Sequence, residues 1–199
     1  MRGMGSPPVY DLNTYKHYDA ILGQRYIFGG MAVQAYDANT YSYNVTLDVL
    51  VAAPIFVPTS LKAVSLGIYN NTAGGGRAVR LGLYTNTAQG NLYPQNLLVD
   101  SGVIDLSLAT GVHTAAISQS VSGLVWVVAL INVTTTCAGL MGAACVPILG
   151  WANTLNDYAG IGWTVAQAYG ALPAVCPTAG AASVHGDWNL PTLAVGFGV

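Results

Sequence analysis

His17-Tyr18-Asp19 and His185-Gly186-Asp187 each set an imidazole two residues from a carboxylate. On a strand, positions i and i+2 share a face, so each triplet can offer two metal ligands side by side. Two ligands do not make a site, because a bound metal takes three or four protein donors. Both triplets also fall in irregular Tyr- or Gly-rich sequence, where surface or interface hydrogen bonding is the simpler role. Paired-carboxylate chemistry has no better support. The chain has eight Asp and no Glu, and Asp100 and Asp105 flank one strand while the others are distant in sequence. General acid–base work needs two carboxylates at a defined separation. Asp100 opens Asp100-Ser101-Gly102, where an Asp acts as a turn former whose carboxylate caps its own backbone.

Gly74-Gly75-Gly76-Arg77 has the glycines of a phosphate loop, but no Lys-Ser/Thr follows and the next residues read as a strand. The helix N-terminus that would hold phosphate is missing, and a hairpin tip is the better reading. Neither GxSxG nor HExxH occurs. With no legible nucleophile–base pair, the chain is expected not to be an enzyme, with no catalytic residues, no metal and no cofactor.

Aromatic residues are the remaining candidates. The N-terminal segment is rich in Tyr and carries Arg2, Lys16 and Arg25, half of the basic residues of the chain. Tyr offers large amphipathic contact area at low entropy cost. Tyr10, Tyr15, Tyr18, Arg25 and Tyr26 are therefore the expected partner-binding residues, the alternative being a segment that lies on its own core. Trp151, Trp163 and Trp188 fall in Gly- and Asn-rich C-terminal sequence. They are expected to make core or subunit contacts, with stacking on a host glycan as the alternative.

Composition narrows the class. Of 199 residues, 53% are hydrophobic and 7% charged, where an ordinary globular domain has about 25% charged. A surface this poor in charge is expected to be covered by other chains. Net charge is −2 and the basic residues are scattered, which argues against nucleic acid. The longest apolar run, Gly123 to Ile131, has strand length, so no membrane span is expected. The opening residues hold no apolar h-region, so no secretory signal peptide is expected. For the three cysteines, Cys137, Cys145 and Cys176, two readings stay open: small buried thiols, or a Cys137–Cys145 pair.

The elements that must position these residues read as strands. Tyr41 to Val51 alternates apolar and polar positions, and Pro54 and Pro58 bracket a short strand or corner. Leu61–Tyr69 and Ala78–Thr85 read as a hairpin joined by Asn70–Gly76. The gap Asn86–Asn96 joins the next strands, Leu97–Val99 and Val103–Leu106, with a bulge or bend at Asp100–Gly102. Val112–Ile117, Gly123–Ile131, Ile148–Trp151, Gly160–Val165 and Leu193–Val199 follow. Gly123–Ile131 is apolar on both faces, with Trp126 as a large core residue. No helical period is convincing, and turn residues recur at roughly 8–12-residue spacing. The expected fold is all-β, a jelly-roll-like β-sandwich over residues 39–199, with an extended N-terminal arm over residues 1–38.

The order AAPIFVP, SLKAVSLGIYNNTAGGGRAVRLGLYT, YPQNLLVDSGVIDL, ISQSVSGLVWVVALI and YGALPAVCP resembles a jelly-roll domain of tailed-bacteriophage structural proteins, found in tail fibres and appendages. The resemblance spans Val45 to Val199. It departs at Asn96, where the pattern has Gly, and at Val125, where it has an aromatic residue. It brings no catalytic motif. It implies a virion structural protein, made in the host cytoplasm and carried on the capsid or tail surface. The expected role is capsid decoration or cement, docked by the arm on the major capsid or a tail/baseplate protein, and a homotrimer. The alternatives are a tail-fibre or baseplate appendage and a lectin-like module reading host glycans. Within it, Asn86–Asn96 is expected to be a contact-making rim loop.

Overall fold

The computed structural model describes residues 16–19, 24–28, 42–87, 92–140, 160–185 and 190–198. Among them the regular structure is all strand: β1 (Lys16–Asp19), β2 (Gln24–Phe28), β3 (Ser42–Val45), β4 (Val49–Asn70), β5 (Ala78–Asn86), β6 (Pro94–Asp105), β7 (Gly111–Ile131), β8 (Thr135–Leu140), β9 (Gly160–Ala166), β10 (Ala182–His185), β11 (Leu190–Pro191) and β12 (Leu193–Gly198).

Two strands organise the molecule. β4 and β7 run 22 and 21 residues and pair antiparallel from Val51↔Ala129 to Asn70↔Gly111. That is several times the usual strand length, and the pair bends midway. The register shifts between Val57 and Leu61, and Gly123, the partner of Val57, has φ 71°, a conformation a side chain would strain. The bend curls one antiparallel sheet over on itself. In one half, β6, β5, the end of β7 and the start of β4 lie side by side, with β9 against Val49–Ala52 and β10 beyond it. In the other half, the start of β7, the end of β4, β12, β2 and β1 follow in order. β8 joins at Asn70↔Cys137 and carries β3 and β11. Leu81, Leu83 and Val127 from one half meet Leu66, Ile68, Val195 and Phe197 from the other in the main core. Burying each large side chain there contributes about 1.5–3 kcal/mol. The result is sandwich-like.

Several elements differ from the sequence expectation. Tyr41–Val51 is not one strand: β3 ends at Val45 and a turn intervenes, with Asp48 at φ 58°, a conformation Asp tolerates better than most residues. Pro54 does not break β4. It pairs with Trp126 on one side, and β9 pairs β4 only as far as Ala52, so no described neighbour asks for its missing N–H. Leu61–Tyr69 and Ala78–Thr85 do not form a hairpin. β7 lies between β4 and β5, and the residues joining these two pass from one half of the sheet to the other. Val112–Ile117 and Gly123–Ile131 are two stretches of the single strand β7.

Part of the 1–38 segment also enters the sheet. β1 and β2 form an antiparallel pair, and β2 runs along β12 from Gln24↔Gly198 to Phe28↔Ala194. Ile148–Trp151 lies outside the described residues, as does Cys145 of the candidate Cys137–Cys145 pair.

Candidate functional site

The end of β7 is covered twice. Its odd residues Val125, Val127, Ala129 and Ile131 face the main core. Its even residues Trp126, Val128 and Leu130 face outward into a second, smaller core with Leu50, Ala52, Tyr84, Tyr93 and Val165. Residues 167–181, the connection from β9 to β10, close this second core with Leu172 and Cys176. The connection lies tight on the sheet. A Cβ on Gly82 would come within 2.3 Å of Leu172 Cδ1 and 2.9 Å of the Val99 carbonyl oxygen, so only glycine fits beneath it.

Backbone and side-chain hydrogen bonds hold this strap along its length. Asp48 accepts from Gln167 N (2.9 Å) with its carbonyl and from Tyr169 N (2.7 Å) with Oδ1. Leu172 N donates to Asp100 Oδ2 (3.0 Å), which also receives Arg80 Nη1 at 2.8 Å. Leu97 N donates to Ala174 O (2.9 Å), and Cys176 N to Gln95 O (2.8 Å). Asp100 Oδ1 accepts from Gly102 N at 2.8 Å, the backbone cap expected of this turn. Beside the ion pair, burial raises the Tyr169 phenol above its ordinary value, while the neighbouring Arg80 acts to lower it.

The aromatic rings of this region turn their polar atoms inward. Tyr84 Oη donates to Pro173 O (2.7 Å) and Tyr93 Oη to Pro177 O (2.6 Å). Trp126 Nε1 donates to Asn86 Oδ1 (2.9 Å), which also accepts from Tyr93 N. Burial raises the phenols of Tyr84 and Tyr93 above the usual tyrosine range, with Cys176 reinforcing the shift. The Cys176 thiol is pushed up to about 11 by burial, and the Cys137 thiol, in the main core, to about 12. These are inert, protonated groups near neutral pH.

Trp163 belongs to the same region. It is half-buried, donates Nε1–H to Leu92 O (2.8 Å) and meets Tyr93 edge-on, with ring centroids 5.1 Å apart. Its only donor is thus used within the chain. Trp151, Trp188, Tyr10 and Tyr15 lie outside the described residues. Tyr18, Arg25 and Tyr26 lie on the β1–β2 pair, where Tyr18 is the partner of Arg25 and His17 that of Tyr26. Backbone register therefore gathers three of the expected partner-binding residues in one strand pair beside β12. Of the His-x-Asp triplets, the first lies on β1, and Gly186 and Asp187 lie outside the described residues. No cluster of three or more His, Cys or Asp residues suited to a metal occurs among the described residues.

The start of β7 is different. Gly111–Ser120 alternates between half-buried and exposed positions. Ala115 and Ile117 pack on the main core, while Val112, 71% exposed, shares the outer face with Thr114, Ala116, Ser118 and Ser120. On one side this stretch pairs with β4; on the other, no strand pairs with it among the described residues. Leu108, in the turn just before it, is 86% exposed. A strand edge with no described neighbour, without Asp, Lys or Arg and beside exposed apolar side chains, is of the kind that proteins ordinarily guard or cover. The sequence pointed to a strand at Val112–Ile117, but not to its lack of a described neighbour on one side.

No family model matches the chain, and no curated protein matches it by sequence.

Proposed function

We propose that this chain is a non-enzymatic structural protein of a tailed-phage virion, a capsid decoration or cement protein that works by contact. The observation that carries the reading is the uncharged, exposed first stretch of β7 on a chain with only 7% charged residues. Summed over a symmetric oligomer, many weak apolar and hydrogen-bonded contacts give avidity without one strong site. Low charge suits such surfaces, because burying an unpaired charge is costly. The resemblance of Val45–Val199 to phage structural domains supplies the setting, and the Tyr-rich N-terminal segment the docking element.

The test is to add labelled protein to intact particles that lack it and image where it sits. Binding over the shell at regular occupancy is expected. Binding to the tail alone would favour the appendage reading, and no binding would remove the virion role. Because β1 and β2 are part of the sheet, the docking segment is best tested by deleting residues 1–15. That variant should keep the body folded and lose the particle. A glycan array separates the lectin alternative, for which the half-exposed ring of Trp163 is the described candidate. Saturable glycan binding abolished by Trp163→Ala would support it.

A further inference from the structure

A β-sheet edge presents a row of backbone donors and acceptors that only another strand satisfies in register, and proteins ordinarily guard such edges. The described edges of this sheet differ in how they are guarded. β1 is four residues long and carries Lys16 and Asp19 at its ends. β10 and β3 are also four residues each. β6 is bulged at Gly102, bears Asp100 and Asp105, and is covered near its start by the strap at Asn96↔Val175. Among the described residues, the start of β7 has none of these guards over its first six residues. Gly111 to Ala116 pairs without a break to Asn70–Ser65, contains no Asp, Lys, Arg or Pro, and ends only where the register shifts opposite Val64.

We infer that this edge pairs with the same edge of a second copy of the chain, antiparallel about a two-fold axis at Thr114. That register keeps outer face with outer face. It sets Thr114 opposite Thr114, Val112 opposite Ala116, and His113 opposite Ala115. Opposed threonines stabilise a strand pair, and no like charges meet. A self-complementary patch of this kind is what a two-fold contact requires. The curled sheet thereby continues from one copy into the other. Such a contact makes pairs, so a three-fold assembly would use another surface. The inference rests on the reading that this face is built to be covered by other chains.

The experiment is done in solution on the full chain without particles, so its failure is distinct from a failure to bind virions. Sedimentation velocity of the wild type should show a species of twice the 20.6 kDa chain mass. Thr114→Lys, which sets two ammonium groups opposite each other, should weaken the pair at least about tenfold while leaving the circular-dichroism spectrum unchanged. Under mild oxidation Thr114→Cys should give a covalent dimer beyond the wild-type background, and Ser120→Cys should not. A wild-type chain that sediments singly, an assembly that survives Thr114→Lys in a folded variant, or equal cross-linking at both positions would overturn the inference.

Discussion

The two stretches of β7 share one strand and one partner, β4, yet have opposite surroundings. Gly123–Ile131 is enclosed on both faces, by the main core on one side and by the second core under the strap on the other. Gly111–Ser120 rests one face on the core and leaves the other exposed. The strap makes the difference. Where residues 167–181 cover the sheet, the outward positions are Trp126, Val128 and Leu130; beyond its reach they are Thr114, Ala116, Ser118 and Ser120. Among the described residues, the chain thus covers both faces of β7 at one end and a single face at the other.

The contrast can be broken by substitution. Trp126→Ala should have the largest effect, about 3–5 kcal/mol of lost stability, because it empties the second core and releases Asn86 from one of its two donors. Urea unfolding measures it. If the strap does enclose a core, Gly82→Ala should cost about 1–3 kcal/mol, since the added methyl meets Leu172 and a backbone oxygen with little room to yield. Protease cleavage within 167–181 should accelerate in the same variant, and a loss of stability without added cleavage would place the strain elsewhere.

Alkaline pH sharpens the comparison. The Cys176 and Cys137 thiols have folded-state values raised above their ordinary 9.0. Their contribution to stability is complete below pH 9 and lost as pH rises toward 11 and 12. The raised phenols of Tyr84 and Tyr93 act with the same sign above pH 10. The melting temperature should therefore fall progressively above pH 9, and neither thiol should react with a thiol reagent at pH 8 until the chain unfolds. Fast labelling of Cys176 in the folded protein would show that the strap opens. The smallest effect is expected at the exposed stretch. Val112→Ala should change the stability of the single chain by no more than about 0.5 kcal/mol, because its side chain is 71% exposed.

What the sequence showed follows the range of the interactions. Trp126 as a core residue and the two-sided burial of Gly123–Ile131 were legible, because an unbroken apolar run has to be enclosed on both faces. The bulge at Asp100–Gly102 was legible because its cap spans two residues. Partners far apart in sequence were not. The apparent hairpin across Asn70–Gly76 is split by a strand that begins at Gly111. The acceptors for Tyr84 and Tyr93 are carbonyls 89 and 84 residues away, which no local pattern announces. The second role of Asp100, holding Arg80 and the strap together, was hidden behind its role as a turn former. Among the contact residues, composition drew attention to aromatic rings, and Trp163 proved to have its N–H bound within the chain. The open edge drew no attention, since a strand's lack of a neighbour is a property of topology.

The long β4–β7 ladder also governs how the molecule would bear load. Because both strands pass through the bend, the two halves share one ladder of paired residues from Val51↔Ala129 to Asn70↔Gly111, broken where the register shifts between Val57 and Leu61 and between Ala63 and Ser65. A tug along the strands at either end is resisted in shear by several rungs at once, and the main core, drawn from both halves, couples one to the other. Such a molecule should yield abruptly, as one mechanical unit.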